Sequence, residues 1–242
     1  MKIVKWFALG GLLGAALFIG LLYMIKTVTR HSPSAPYVRY HNYPLNQKAI
    51  EQAEDFTVLI SDEGFGGIGR GTGILLDSTH VLTCAHMVPE DNAHDMWVYT
   101  RPVHTVYKAR PVFGSQYKDL AILELSAPVE RSHYAVFNSS YTVGQPITII
   151  GNTLGCMQWF VSYGLISGSK TIYLLTDGLI RGGNSGGPWI NDNGEVLALT
   201  DWGLQDNKGK NLEISGGISA ATIQVFLQNW KEPSILQMLL GG

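Results

Sequence analysis

From residue 57 onward apolar residues arrive in short bursts separated by turn formers. The bursts are TVLIS (57–61), GTGILL (71–76), HVLTC (80–84), MWVYT (96–100), ARPVF (109–113), LAILEL (120–125), ITIIG (147–151), FVSYGLIS (160–167), TIYLL (171–175), PWI (188–190) and VLALT (196–200). They are rich in Val, Ile, Leu, Thr and aromatic residues, and Gly, Asn-Asp or Asp-Ser lies between them, which is how strands and their turns are written. A helical period is rare. QKAIEQAED (47–55) predicts a short helix leading into the strands, and AATIQVFLQN (220–229) a helix that closes them. The expectation is an all-β domain with little helix.

One stretch breaks the pattern. Residues 6–25, WFALGGLLGAALFIGLLYMI, carry no charge, with Lys2 and Lys5 before them and Lys26 and Arg30 after. At about 1.5 Å per residue such a helix spans the ~30 Å hydrocarbon core of a bilayer. A secretory signal has a shorter apolar centre, about 7–15 residues, with small residues at a cleavage site close behind. Here KTVTRHSPSAP follows, so the stretch is expected to be an uncleaved single-pass anchor. Positive charge is nearly balanced on its two sides and gives little guide to orientation. Gly10 and Gly14 have the spacing of helices that pack closely in a membrane, although glycine is common in such helices anyway. Residues 26–55 lack periodicity up to the helix and read as a tether.

Composition narrows the function classes. The 242 residues carry 17 Lys+Arg and 19 Asp+Glu, and 45% are apolar. All the acidic residues and 13 of the basic ones lie beyond residue 30, so that part is acidic on balance. No basic stripe emerges, which argues against nucleic acid as a partner. Two cysteines, Cys84 and Cys156, are too few for a disulfide framework, and whether they pair is open at this level. His31, His41, His80, His94, His104 and His133 show no metal-ligand spacing, so neither a metal nor another cofactor is expected.

The candidate chemistry sits in RGGNSGGPWI, residues 181–190. A serine hydroxyl is a poor nucleophile and needs a base beside it and donors for the charge it creates. Glycines around Ser185 allow the backbone to turn several N–H groups toward one point. Upstream, His86 lies in THVLTCAHMV (79–88) and Asp119 in KDLAILEL (118–125). A carboxylate opening so apolar a strand is costly to bury unless it is paired, and the imidazole N–H of His86 is the obvious partner. His86, Asp119 and Ser185 are therefore the candidate catalytic triad. Cys84, two residues before His86, is expected to be packed and not a rival nucleophile.

The chain order His86, Asp119, Ser185 resembles that of trypsin-fold serine peptidases and differs from the orders in subtilisin-like and α/β-hydrolase enzymes. The finer resemblance is to the HtrA-like (Deg) branch. It is carried by GTGILLDSTHVLTCAH (71–86), VGQPITIIGNTLG (143–155), FVSYGLISG (160–168), LLTDGLIRGGNSGGPWIN (174–191) and GGISAATI (216–223), in that order. It covers about residues 56–227, and no PDZ domain is expected after it. Gly182 stands where that branch usually has a larger residue, often proline.

The resemblance implies two antiparallel six-stranded β-barrels, divided near residues 126–145, with the site between them. Taken with the apolar stretch and the tether, it divides the chain into an anchor over 1–30, a tether over 31–55, a protease domain over 56–230 and a tail over 231–242. The oxyanion donors would be the N–H groups of Gly183 and Ser185. Between them stands Asn184, where digestive relatives have an aspartate that pairs with a freshly cut amino terminus, so activation by clipping is not expected. Leu179, Ile180, Asp201, Trp202 and Gly203 would border the substrate. No buried anion is evident there unless Asp177 or Asp201 turns inward, which points to small-to-medium apolar side chains before the scissile bond. Partners would be a protein or peptide substrate, the membrane through residues 6–25, and a homo-oligomer of the kind such relatives form. The protease domain would lie on the non-cytoplasmic side. The expected function is a membrane-tethered serine endopeptidase working through an acyl-enzyme. The alternatives are a membrane-bound chaperone or binding module with weak or conditional proteolysis, and an esterase using the same triad.

Overall fold

The computed structural model describes residues 46–62, 70–89, 96–100, 105–155, 159–205 and 211–232. The expected anchor at 6–25 lies outside the described residues. Among the described residues no helix is long and apolar enough to cross a membrane.

Helix α1 (Gln47–Phe56) starts where Asn46 accepts a hydrogen bond from the Ala49 N–H at 3.2 Å, an N-cap that satisfies one of the first unpaired donors. Its apolar residues Ala49, Ile50, Ala53 and Phe56 fall on one stripe and are buried. Residues 47–55, which the sequence put at the end of a tether, are thereby packed into the same core as the strands that follow.

Six strands then close into a first antiparallel barrel: β1 (Thr57–Ser61), β2 (Gly71–Leu75), β3 (His80–Thr83), β4 (Met96–Thr100), β5 (Thr105–Ser115) and β6 (Leu120–Leu125), in the order β1-β2-β3-β6-β5-β4. The second barrel has β7 (Pro146–Gly151), β8 (Phe160–Lys170), β9 (Tyr173–Thr176), β10 (Pro188–Ile190), β11 (Val196–Gln205) and β12 (Asn211–Ser219), in the order β10-β11-β12-β9-β8-β7. The all-β fold of two six-stranded barrels is as expected, and the division falls between β6 and β7 at residues 126–145. Closure leaves neither barrel an open edge. Helix α2 (Ala220–Lys231) follows β12, capped by the Ser219 hydroxyl, and buries Ala220, Ile223 and Phe226.

Two clusters fill the interior. The larger runs from α1 through the first barrel to Ile150, Ile190, Val196, Leu199 and α2. The smaller lies in the second barrel around Trp189, with Ile147, Ile149, Ile166, Leu174, Ile180, Leu197 and Ala198. β2, a strand of the first barrel, touches with its first residues the loop that carries Ser185.

Candidate active site

His86 sits on a single 3₁₀ turn (Ala85–Met87) at the end of β3. Asp119 precedes β6, the neighbour of β3, with a left-handed φ of 50°. Pairing of β3 with β6 thus delivers the two side chains to one end of the first barrel. The His86 ring Nδ1 is 2.6 Å from Asp119 Oδ2, and the His86 backbone N–H donates to Asp119 Oδ1 at 2.9 Å. A third bond, Ala85 N–H to the Asp119 carbonyl at 3.1 Å, fixes the turn against the strand. With Nδ1–H given to a carboxylate, the other ring nitrogen is left free to accept a proton.

Electrostatics follow from this contact. The hydrogen bond that the His86 ring donates to Asp119 raises the His86 pKa above its ordinary 6.5, against the opposing effect of burial. Burial works against the Asp119 carboxylate, but the two His86 donors outweigh it and hold the group below the usual carboxylate range.

The nucleophile loop comes from the second barrel. Gly183 and Gly186 adopt φ values of 94° and 84°, conformations that cost a residue with a Cβ about 1–2 kcal/mol before any clash. The clashes are severe as well. A Cβ on Gly183 would lie 2.1 Å from the Asn152 carbonyl oxygen, and one on Gly186 would lie 2.0 Å from that of Thr72. The bends turn the N–H groups of Gly183 and Ser185 away from internal acceptors: among the described residues neither donates a hydrogen bond. The Ser185 hydroxyl donates to the Asp201 carbonyl at 3.3 Å, and among the described residues no hydrogen bond joins it to His86.

Thr72 on β2 was not singled out by the sequence, yet it holds this loop to the first barrel. Its N–H donates to the Ser185 carbonyl at 2.9 Å and its hydroxyl to the Gly183 carbonyl at 2.8 Å. The same hydroxyl accepts from the Asn152 N–H at 2.8 Å. The GTG beside it is the only sequence signal: a Cβ on Gly71 would meet Met87 at 2.4 Å. Asn184 is buried, and its amide oxygen accepts from the Thr153 hydroxyl at 2.7 Å.

The residues expected to border a substrate divide. Leu179 is exposed, with its carbonyl accepting from the Ser162 hydroxyl, and Ile180 is packed into the second core cluster. Trp202 lies against Gly216, where a Cβ would come within 2.3 Å of the indole, and meets the Tyr173 ring edge-on at 5.9 Å. Gly203 borders Ile180. Asp201 turns its carboxyl toward Asp119, and Asp177 accepts from the Leu165 N–H at 2.7 Å.

Cys84, His86, Asp119 and Asp201 bring one donor atom each within 4.8 Å of one another. Burial, followed by the charges of the two aspartates, pushes the Cys84 thiol well above its ordinary 9.0, and its Sγ donates to the Thr200 carbonyl. Metal binding to a thiol requires its deprotonation, which this environment opposes. Cys84 is buried and free, which also answers its side of the disulfide question; Cys156 lies outside the described residues.

Residues 71–199 match the family described as trypsin-like peptidase domain. The chain belongs to this family. It is also similar to several bacterial and plastid proteins of one kind. It is 30% identical over 183 residues to a serine protease Do-like HtrB of Bacillus subtilis, covering 69% of this chain and 37% of that protein. It is 30% identical over 149 residues to a probable periplasmic serine protease do/HhoA-like of Haemophilus influenzae, covering 57% and 31%. It is 30% identical over 146 residues to a chloroplastic protease Do-like 1 of Arabidopsis thaliana, covering 54% and 32%. The chain thus spans about a third of the length of these relatives. The match to the Deg/HtrA branch of the trypsin-like peptidases is the one its motifs point to.

Proposed function

We propose that the protein is a serine endopeptidase in which Ser185, His86 and Asp119 form the triad. The observation that carries this reading is the 2.6 Å contact between His86 Nδ1 and Asp119 Oδ2, set beside a serine loop with two unspent backbone donors. On substrate binding the Ser185 hydroxyl leaves the Asp201 carbonyl for the free nitrogen of His86. It then attacks the peptide carbonyl as His86 takes its proton. The N–H groups of Gly183 and Ser185 receive the oxyanion, each such donor contributing about 2.7–4 kcal/mol to the transition state. His86 returns the proton to the leaving amine, and water resolves the acyl-enzyme by the same route in reverse. Catalytic hydrogen bonds of this kind often tighten only when substrate is present.

Both aspartates that would have given the pocket an anion are already engaged, which supports small-to-medium apolar side chains before the scissile bond. Strict cleavage after Lys or Arg in a peptide library would overturn that preference. Residues 6–25 support a membrane tether, and the periplasmic naming of a relative supports a non-cytoplasmic protease domain.

The test is covalent labelling. Wild-type protein and Ser185→Ala are exposed to a fluorophosphonate probe and weighed intact. An adduct on the wild type alone is expected, with a rate that falls below a midpoint above pH 6.5, because only neutral His86 accepts the proton. No adduct on folded wild type would sink the enzymatic reading.

A further inference from the structure

Asp201 occupies a break in the sheet. In the pairing of β11 with β12, Thr200 faces Gly217 and Trp202 faces Gly216, so Asp201 is the residue left over. Such a bulge re-aims a side chain, and here it does so for a charged one. A carboxyl oxygen of Asp201 and one of Asp119 lie within 4.8 Å of each other, in one cluster with a ring nitrogen of His86 and the Cys84 sulfur. Two carboxylates this close repel one another unless one of them holds a proton. Tyr173 is no acid that loses its proton near neutrality, its pKa being pushed up to about 12 by burial and by Asp201.

Resting on the triad proposed above, we infer that Asp201 is a positioning residue whose charge, set beside Asp119, governs the basicity of His86. Below about pH 6 the proton lies on Asp201 and that charge is absent. When Asp201 loses that proton, a second negative charge stands behind His86 and strengthens its hold on its own proton. Among the described residues the titratable groups that bear on Asp201 are Asp119, which heads β6, His86 and Cys84 at the end of β3, and Tyr173 on β9. Cys84 stays a neutral thiol and Tyr173 a neutral phenol through the working range, leaving three groups to share the protons. Burial, then Asp119, push the Asp201 pKa up to about 6, close enough to His86 for the two titrations to overlap. The backbone of the same residue also accepts the Ser185 hydroxyl, so one bulge serves both the nucleophile and the acid behind the base.

The experiment uses the 242-residue chain and three variants, Asp201→Asn, Asp201→Ser and Asp201→Ala, each checked for a cooperative thermal transition. The His86 ring is titrated by NMR, its signals assigned with His86→Gln. In parallel, the pH profile of fluorophosphonate labelling is recorded. Asp201→Asn, neutral and still able to donate from its amide, is expected to lower the His86 midpoint by about half to one pH unit and to move the acidic limb of labelling with it. Asp201→Ser is expected to shift in the same direction. Asp201→Ala, which likewise removes the charge, is expected to shift in the same direction. His86 midpoints that coincide in the wild type and Asp201→Asn overturn the inference, whether or not the protein is labelled. If Asp201→Ala does not fold, Asp201→Asn and Asp201→Ser decide the matter through the midpoint. A wild type that takes no label, with the midpoint nonetheless shifted in Asp201→Asn, separates failure of the proposed function from failure of this inference.

Discussion

The two barrels have the same strand count and closure, but their interiors are built differently. The first is lined by branched aliphatic chains such as Val58, Ile60, Ile74, Leu82 and Ile122, all fully buried. Each such residue contributes roughly 1.5–3 kcal/mol and makes few directional demands. The second is organised around Trp189, whose indole N–H donates to the Thr200 hydroxyl at 2.9 Å. Room for that ring comes from Gly217, where a Cβ would lie 2.8 Å from it. Thr200 in turn ties the nucleophile loop: its N–H donates to the Gly187 carbonyl and its carbonyl accepts from the Gly186 N–H, both at 2.8 Å. The first barrel therefore holds the proposed base and its carboxylate at strand ends, on a frame of non-directional packing. In the second, core packing and loop geometry share the same atoms.

The largest effect should come from exploiting that difference. Ile60→Ala and Trp189→Ala each open a cavity in a fully buried core and are expected to cost about 2–5 and 3–5 kcal/mol respectively in urea unfolding. Under conditions where both are folded, labelling of Ser185 by fluorophosphonate should be preserved in Ile60→Ala and reduced in Trp189→Ala, whose Thr200 has lost its partner. Equal labelling in the two would erase the distinction between the barrels.

A smaller effect is expected at the seam. Thr72→Val keeps the shape of the side chain but removes a hydroxyl that bonds the Gly183 carbonyl and the Asn152 N–H. Leaving such buried groups unpaired costs about 1–3 kcal/mol, and here the strain falls on the proposed oxyanion glycine. Thr72→Val should lose both stability and labelling rate, and Thr72→Ser should recover most of each. A Thr72→Val protein that is less stable but labels at the wild-type rate would mean that the barrels need this contact only to stay together.

How much of this was legible follows the same division. MWVYT, LAILEL and PWI match β4, β6 and β10 end to end, since a buried strand of apolar residues announces itself. β5 was read as only ARPVF, because most of its eleven residues are partly or fully exposed and too polar to stand out. β12 begins at Asn211, while the motif that pointed to it starts at Gly216; the first half of the strand has no apolar run. In the site, residue types and chain order single out His86, Asp119 and Ser185, and the structure brings the first two into contact. The roles of Thr72 and Asp201 were hidden for a different reason. Both depend on which way a strand residue faces. For Asp201 that direction is set by a bulge at Thr200/Trp202, which alternation along TDWG does not reveal.

The smallest effect depends on pH and tests whether function at this bulge is held against stability. Asp201 binds its proton more tightly in the folded chain, with a pKa of about 6, than an unfolded aspartate does at about 3.9. Between those values the folded state holds more protons than the unfolded one, so the contribution of Asp201 to stability falls as pH rises through that interval and is level above it. Asparagine has no proton to lose. Asp201→Asn should therefore melt close to the wild type near pH 4 and gain on it up to about pH 6, keeping the gain at pH 8. The Asp119–His86 contact remains in both proteins, but the lower His86 midpoint of Asp201→Asn adds a further gain as His86 deprotonates, in the same direction. A melting difference that stays constant from pH 4 to pH 8 would mean that solvent screens the carboxyl pair and that the bulge carries no cost. A widening gap would mean that the protein keeps an acid at residue 201 although an amide there would make the fold more stable. That is expected where a charge is retained for what it does to His86, since sites tuned for chemistry are commonly held at some expense of stability.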